Sequence, residues 1–134
     1  MKAATLRTMA QDPKLTVLRF NECINHRDLE GLVSLMTSDH RFVDAAGRQV
    51  RGREAVRDAW RGFFSKFPDY QNVFAQLTSH GQEVVIVGNS TCTESTLNGA
   101  ALWKVRVDAG LIVEWCVFDD NAETRRALGL GRKS

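Results

Sequence analysis

The sequence predicts an α+β domain in which three N-terminal helices pack on one face of a curved antiparallel sheet. Apolar residues recur with a helical period as far as Phe67, and the period changes to two from Tyr70 onward. Strands and helices do not alternate in the manner of a parallel α/β sheet. A chain of 134 residues suits one core, so residues 1–134 are expected to form a single domain with flexible ends at about 1–12 and 131–134.

The first helix is expected from about Lys14 to Asn25. Asp12 can cap it, Pro13 fits its first turn, and Val17, Phe20 and Ile24 share one face. Asp28 can cap a second helix in which Leu29, Leu32, Val33 and Met36 repeat at helical spacing, so the pair forms a helix hairpin. "RFVDA" reads as a short strand with Phe42 and Asp44 on one face, Gly47 turns the chain, and "QVRG" pairs back. Gly52 precedes a third helix whose stripe of Val56, Ala59, Trp60, Phe63, Phe64 and Phe67 ends at Pro68. Four strands follow as "YQNVFAQLTS", "EVVIVGNSTCTES", "AALWKVRV" and "LIVEWCVFDD", joined by short turns. "NAETRRALGL" closes the chain as a short helix, started by Asp120 or Asn121 and stopped by Gly129 or Gly131.

Strand alternation places Ala101, Trp103, Val105 and Val107 on one face, and Val113, Trp115, Val117 and Asp119 together on the next strand. These sets are expected to meet the helices, with Asn89, Thr91 and Thr93 as polar members of an inward or interface face. The outer face is mixed rather than fully polar, which predicts a homodimer through the sheet.

Composition removes several classes of function. Hydrophobic residues at 43% and charged residues at 25% match soluble globular domains and exclude a disordered or membrane-spanning chain. The net charge of +2 arises from interspersed acids and bases, so no basic stripe suits nucleic acid. Cys23, Cys92 and Cys116 are odd in number, far apart and without paired spacing, which predicts buried thiols in a reducing cytoplasm. His26 and His80 fall in turns and are expected to be solvated. No metal is expected, because three scattered histidines give no ligand spacing. "RGRE" lacks the glycine-rich turn and lysine of a phosphate loop.

The segments "NHRDLEGLVSLMTSDHRFVD", "VRGREAVRDAW" followed by "FPDY", and "GLIVEWCVFDDNAETRRALGL" together resemble the nuclear transport factor 2-like superfamily, especially its SnoaL-like branch. The resemblance covers nearly the whole chain. It implies a cystatin-like roll, a cone in which helices and sheet enclose one apolar cavity. The superfamily includes ketosteroid isomerases, polyketide cyclases, epoxide hydrolases and proteins without a known reaction, so the fold alone decides no chemistry. Asp44 stands where the isomerases carry their proton-shuttling aspartate. Phe20 stands where they place a donating tyrosine, and "GAALWKV" carries no acid for the second donor, so steroid isomerisation is not expected. Val117 aligns with the acid of the polyketide cyclases, and Asp119 lies two residues on, on the same face. Asp44 and Asp119 with Arg51 or Arg53 would form the acid–arginine–acid set of the epoxide hydrolases.

The candidate catalytic residues are therefore Asp44, Asp119 and His40, the last sharing the strand parity of Asp44 or else lying on the surface at a helix exit. Phe20, Trp60, Phe64, Trp103, Trp115 and Val117 are the expected pocket walls for a small apolar organic ligand. Two readings remain open. In one, a cofactor-independent isomerase, cyclase or hydrolase uses Asp44 as general acid/base. In the other, Asp44 caps the turn "DAAG", and the protein is a ligand-binding or dimerisation module without turnover.

Overall fold

The structure, a computed structural model, describes residues 12–131. The expected flexible ends lie, apart from Asp12 and Gly131, outside the described residues. Helix α1 spans Pro13–Asn25, and Asp12 caps it by accepting from the Lys14 amide at 3.0 Å. Helix α2 spans Leu29–Ser34 with Asp28 accepting from the Gly31 amide at 2.9 Å. Its last turn ends two residues before Met36, which instead begins strand β1, Met36–Val43. The reason is tertiary: the Leu35 carbonyl accepts the Ile112 amide at 2.7 Å, and Met36 pairs with Ile112 in the sheet. The strand expected at "RFVDA" is thus longer and earlier, and Asp44 lies just beyond its end.

Strand β2, Gln49–Arg51, pairs back on β1, and helix α3, Arg53–Lys66, follows Gly52, whose φ of 97° suits a residue without a Cβ. Strands β3 (Gln71–His80), β4 (Glu83–Thr91), β5 (Gly99–Asp108) and β6 (Leu111–Asp119) form a meander. A 3₁₀ turn, Ser95–Leu97, interrupts the connection from β4 to β5. Helix α4, Ala122–Ala127, opens with a capping box in which Asn121 and Thr124 satisfy each other's amides.

The six strands lie in the order β2-β1-β6-β5-β4-β3. The sheet is mixed, not wholly antiparallel as expected: β1 runs parallel to β6, with Phe42 opposite Trp115 and Val43 opposite Cys116. Parallel neighbours need a long connection, and α3 together with β3 to β5 supplies it. Among the described residues, two helices precede the first strand, the third follows the β1–β2 hairpin, and a fourth ends the chain.

The helices cover a face lined by Val84, Ile86, Trp103, Val105, Val107, Ile112 and Trp115, against which Val17, Phe20, Ile24 and Leu32 pack. Ile112 was expected on the outer face. A register break opposite Arg106 and Val107 inserts one residue into β6, so Ile112 and Trp115 both turn inward although three positions apart. On β4, Ser90 is the buried member, while Asn89 and Thr91 are exposed, which leaves the outer, interface alternative of the two faces expected for them, and Thr93 lies beyond the strand. Gly88 marks a close approach, because a Cβ there would collide with the Val73 carbonyl oxygen of β3. Of the three thiols only Cys116 is buried; Cys23 and Cys92 are partly open, and all three are free. Exposed His26 and His80 stand as expected.

Candidate functional site

Between α3 and the inner face of the sheet lies a cavity of about 400 Å³. Helix α3 presents Val56, Ala59, Trp60 and Phe63 to it because these positions recur on one face of the helix. Trp60 packs edge-on against Phe42 at 5.7 Å and Phe63 at 5.6 Å, so the aromatic rings of the wall support one another. Strand β6 contributes Trp115 and Val117 and strand β5 contributes Ala101. Trp60, Trp115 and Val117 therefore stand on the lining, as the sequence suggested.

Three other expected wall residues do not line the cavity. Phe20 is fully buried, with its ring 4.7 Å from Trp115 and 6.0 Å from His40, so it backs the wall instead of forming it. Trp103 is fully buried against Phe74 at 4.9 Å, and its indole N–H has no partner among the described residues. Phe64 lies on the far side of Trp60, under the Arg27 guanidinium at 5.9 Å.

His40 is neither a partner of Asp44 nor a surface residue. It is wholly buried, its Nδ1 lies 2.8 Å from the Ile112 carbonyl, and its Nε2 has no partner among the described residues. The carbonyl fixes Nδ1 as the N–H donor and leaves Nε2 as a bare acceptor. Burial holds its pKa below the usual histidine value, against the opposing pull of the Ile112 hydrogen bond and Asp39.

Asp44 and Asp119 both reach the rim of the cavity. The parallel register that sets Val43 beside Cys116 brings Asp44 next to Val117, two residues from Asp119. Asp44 is also a turn acid. Its Oδ1 accepts from the Ala46 and Arg48 amides, each at 2.9 Å, and its Oδ2 from Arg48 Nε at 3.2 Å. Its side chain is 34% exposed, whereas Arg48 is 84% exposed. Arg51 and Arg53 are exposed and off the lining, so the acid–arginine–acid set is not assembled.

A second polar group, which the sequence reading missed, occupies the opposite wall. Tyr70, Asn72 and Ser90 line the cavity and are all nearly buried. Ser90 Oγ donates to Asn72 Oδ1 at 2.8 Å, and the Tyr70 hydroxyl lies 3.1 Å from Ser90 Oγ. Since the single Ser90 proton goes to Asn72, the tyrosine donates to the serine. Burial raises the Tyr70 pKa, and its Ser90 and Asn72 neighbours act against that rise. The Asn72 backbone is clamped to α1, its carbonyl accepting from Asn21 and Asn25 at 3.3 and 2.9 Å and its amide donating to Asn25 Oδ1 at 2.8 Å. Asparagine is unfavourable in a strand, and an inward Asn at the start of β3 was the one signal that could have exposed this group.

Among the described residues, no group of three or more His, Cys, Asp or Glu is arranged to hold a metal ion, and no helix is long and apolar enough to cross a membrane.

Residues 17–115 match the family described as the SnoaL-like domain. No curated protein matches the sequence. Among solved structures, IdmH of Streptomyces antibioticus, a candidate polyketide cyclase, superposes with a TM-score of 0.68 at 24% identity, covering 89% of this chain and 99% of its own. A candidate SnoaL-like polyketide cyclase from Shewanella denitrificans gives 0.71 at 14% identity, over 87% and 96% of the two chains. A candidate ketosteroid isomerase from Kribbella flavida gives 0.65 at 18% identity, over 91% and 90%. At these identities the likeness is one of fold.

Proposed function

Because this chain belongs to the SnoaL-like domain family, we propose that its cavity binds a small, mostly apolar organic molecule and that Asp44 acts on it as general acid/base without a cofactor. The observation that supports this reading is the cavity itself: a 400 Å³ space walled by Trp60, Phe63, Trp115 and Val117, with an acid at its rim. The reaction class is that of an isomerase, cyclase or hydrolase. In the isomerase form, the Asp44 carboxylate removes a proton from carbon next to a carbonyl at the acid end of the ligand, the electron pair passes to that carbonyl oxygen, and the new carboxylic acid returns the proton to carbon. Asp119, also on the lining, is the residue proposed for the role expected on the last strand.

The hydrogen bonds of Asp44 favour a second reading, binding without turnover. Three donors already occupy its oxygens, which is what a turn acid requires. Deuterium exchange next to the carbonyl of 2-tetralone in heavy water separates the two. Exchange above the protein-free rate that disappears in Asp44→Asn supports the catalytic reading. Exchange that survives the substitution removes Asp44 from the mechanism, and no exchange by the native protein leaves binding alone.

The proposed partner at the other face of the sheet is a second copy of the chain. Across that face Glu83, Arg106, Glu114 and Arg41 form a row of alternating charge, in which Arg41 and Glu114 already pair. An alternating row is self-complementary about a two-fold axis. Sedimentation equilibrium tests this: a dimer is expected, and a monomer at all concentrations would overturn it. The expected cytoplasmic location accords with the three free thiols.

A further inference from the structure

The cavity carries a chemical polarity that the acids alone do not explain. Its lining includes Asp44 and Asp119 but, among the described residues, no Lys, Arg or His. An anionic ligand would leave water to meet two carboxyl groups and no counter-charge, so the cavity disfavours carboxylates and phosphates. Neutral molecules remain, and the opposite wall says how one would be held.

The Asn72 amide is locked in one orientation. Ser90 donates to Oδ1, which can be satisfied only by a donor, so the NH₂ end is turned away from Ser90. The Tyr70 hydroxyl is a neighbour that can take an Asn72 N–H. An amide nitrogen carries two hydrogens, so at least one is left for an acceptor in the cavity. The clamp from Asn21 and Asn25 fixes the Asn72 backbone, and the Ser90 contact sets the direction of its side-chain amide. A buried donor without an acceptor is costly, and a ligand oxygen relieves that cost.

The two polar ends are well separated. Asn72 is on β3 and Asp44 follows β1, four strand steps apart in the sheet order. At about 4.8 Å per step this is about 19 Å along the unrolled sheet, and the curl of the sheet over the helices shortens it.

Resting on the reading of the cavity as a ligand site, we propose that the Asn72 amide, oriented by Ser90 and Tyr70, is the recognition group for an acceptor oxygen on a neutral ligand. The ligand is a carbonyl-bearing or ether-bearing apolar molecule whose oxygen end lies at β3 and β4. Its far end lies between Trp60 and Trp115, toward the acids.

Three probes of one shape test this: 2-acetylnaphthalene, 2-ethylnaphthalene and 2-naphthoate. Binding is followed by quenching of tryptophan fluorescence, since Trp60 and Trp115 line the cavity. The native protein is expected to bind the ketone about tenfold more tightly than the hydrocarbon, a preference of one buried hydrogen bond. The naphthoate is expected to bind most weakly. Asn72→Leu is expected to erase the preference for the ketone while retaining the hydrocarbon. Ser90→Ala, which keeps the wall intact should the first variant fail to fold, is expected to reduce the preference several-fold by freeing the amide to rotate. Equal affinity of native protein for ketone and hydrocarbon, or a preference unchanged in both variants, overturns the assignment of Asn72 alone. Failure of all three probes to bind the native protein overturns the ligand-site reading beneath it.

Discussion

At one rim of the cavity Asp44 gathers two backbone amides and Arg48 into a turn that stands a third open to solvent. At the other wall Tyr70, Ser90 and Asn72 hold one another beneath the core, and Asn72 is clamped to a helix as well. Both groups touch the same space, yet they differ in what their hydrogen bonds leave over. The turn takes two acceptor positions on Asp44 Oδ1 and one on Oδ2, whereas the buried group engages Asn72 Oδ1 and leaves an amide donor on the cavity wall. A polar residue on a cavity is therefore best judged by the hydrogen bond it has not made.

Breaking the support of the buried wall has the largest expected effect. Gly88→Val drives side-chain atoms into the Val73 carbonyl where β3 and β4 approach closely. A loss of about 3 kcal/mol in urea unfolding is expected, because overpacking there must displace a strand. Removing one side chain from each polar region sharpens the contrast next. Asn72→Ala leaves Ser90 without its acceptor in a buried site and is expected to cost about 2 kcal/mol, against about 1 kcal/mol for Asp44→Ala, whose amide donors can turn to water. Equal losses by chemical denaturation would contradict the difference in burial.

The third test is one of pH. Burial keeps the folded-state pKa of His40 below that of the unfolded chain, near 6.5. Above about pH 6.5 the residue is neutral in both states and makes no pH-dependent contribution. As the pH falls below that value the unfolded state takes up a proton that the folded core resists, so stability is lost. The melting temperature is expected to fall from pH 6.5 toward 5, and His40→Leu is expected to flatten that part of the profile. The smallest effect is expected at the exposed end of the rim: Arg48→Ala should change stability by no more than about 0.5 kcal/mol, measured at low and high salt.

Much of the architecture was legible in the sequence because helix periodicity and caps are local. Asp12, Asp28, Gly52 and Asn121 all stand where their chemistry placed them. The errors arose where distant strands decide. Met36 belongs to a helical pattern by spacing, but pairing with Ile112 draws it into the sheet. The bulge in β6 shifts the alternation that would have sent Ile112 outward. The same limits apply to the site. Trp60, Trp115 and Val117 were found from their faces, but Phe20, Phe64 and Trp103 share those faces and pack elsewhere. Asn72 and Ser90 meet only through the register of β3 with β4, which no single strand displays.

The central claim, that the cavity takes a neutral molecule by its acceptor oxygen, is tested most directly by a crystal structure of the protein with 2-acetylnaphthalene. The predicted result is a naphthalene ring between Trp60 and Trp115, with its carbonyl oxygen within about 3 Å of Asn72 Nδ2. A ring bound outside the cavity, or one whose carbonyl turns toward Asp44 and Asp119, would contradict it.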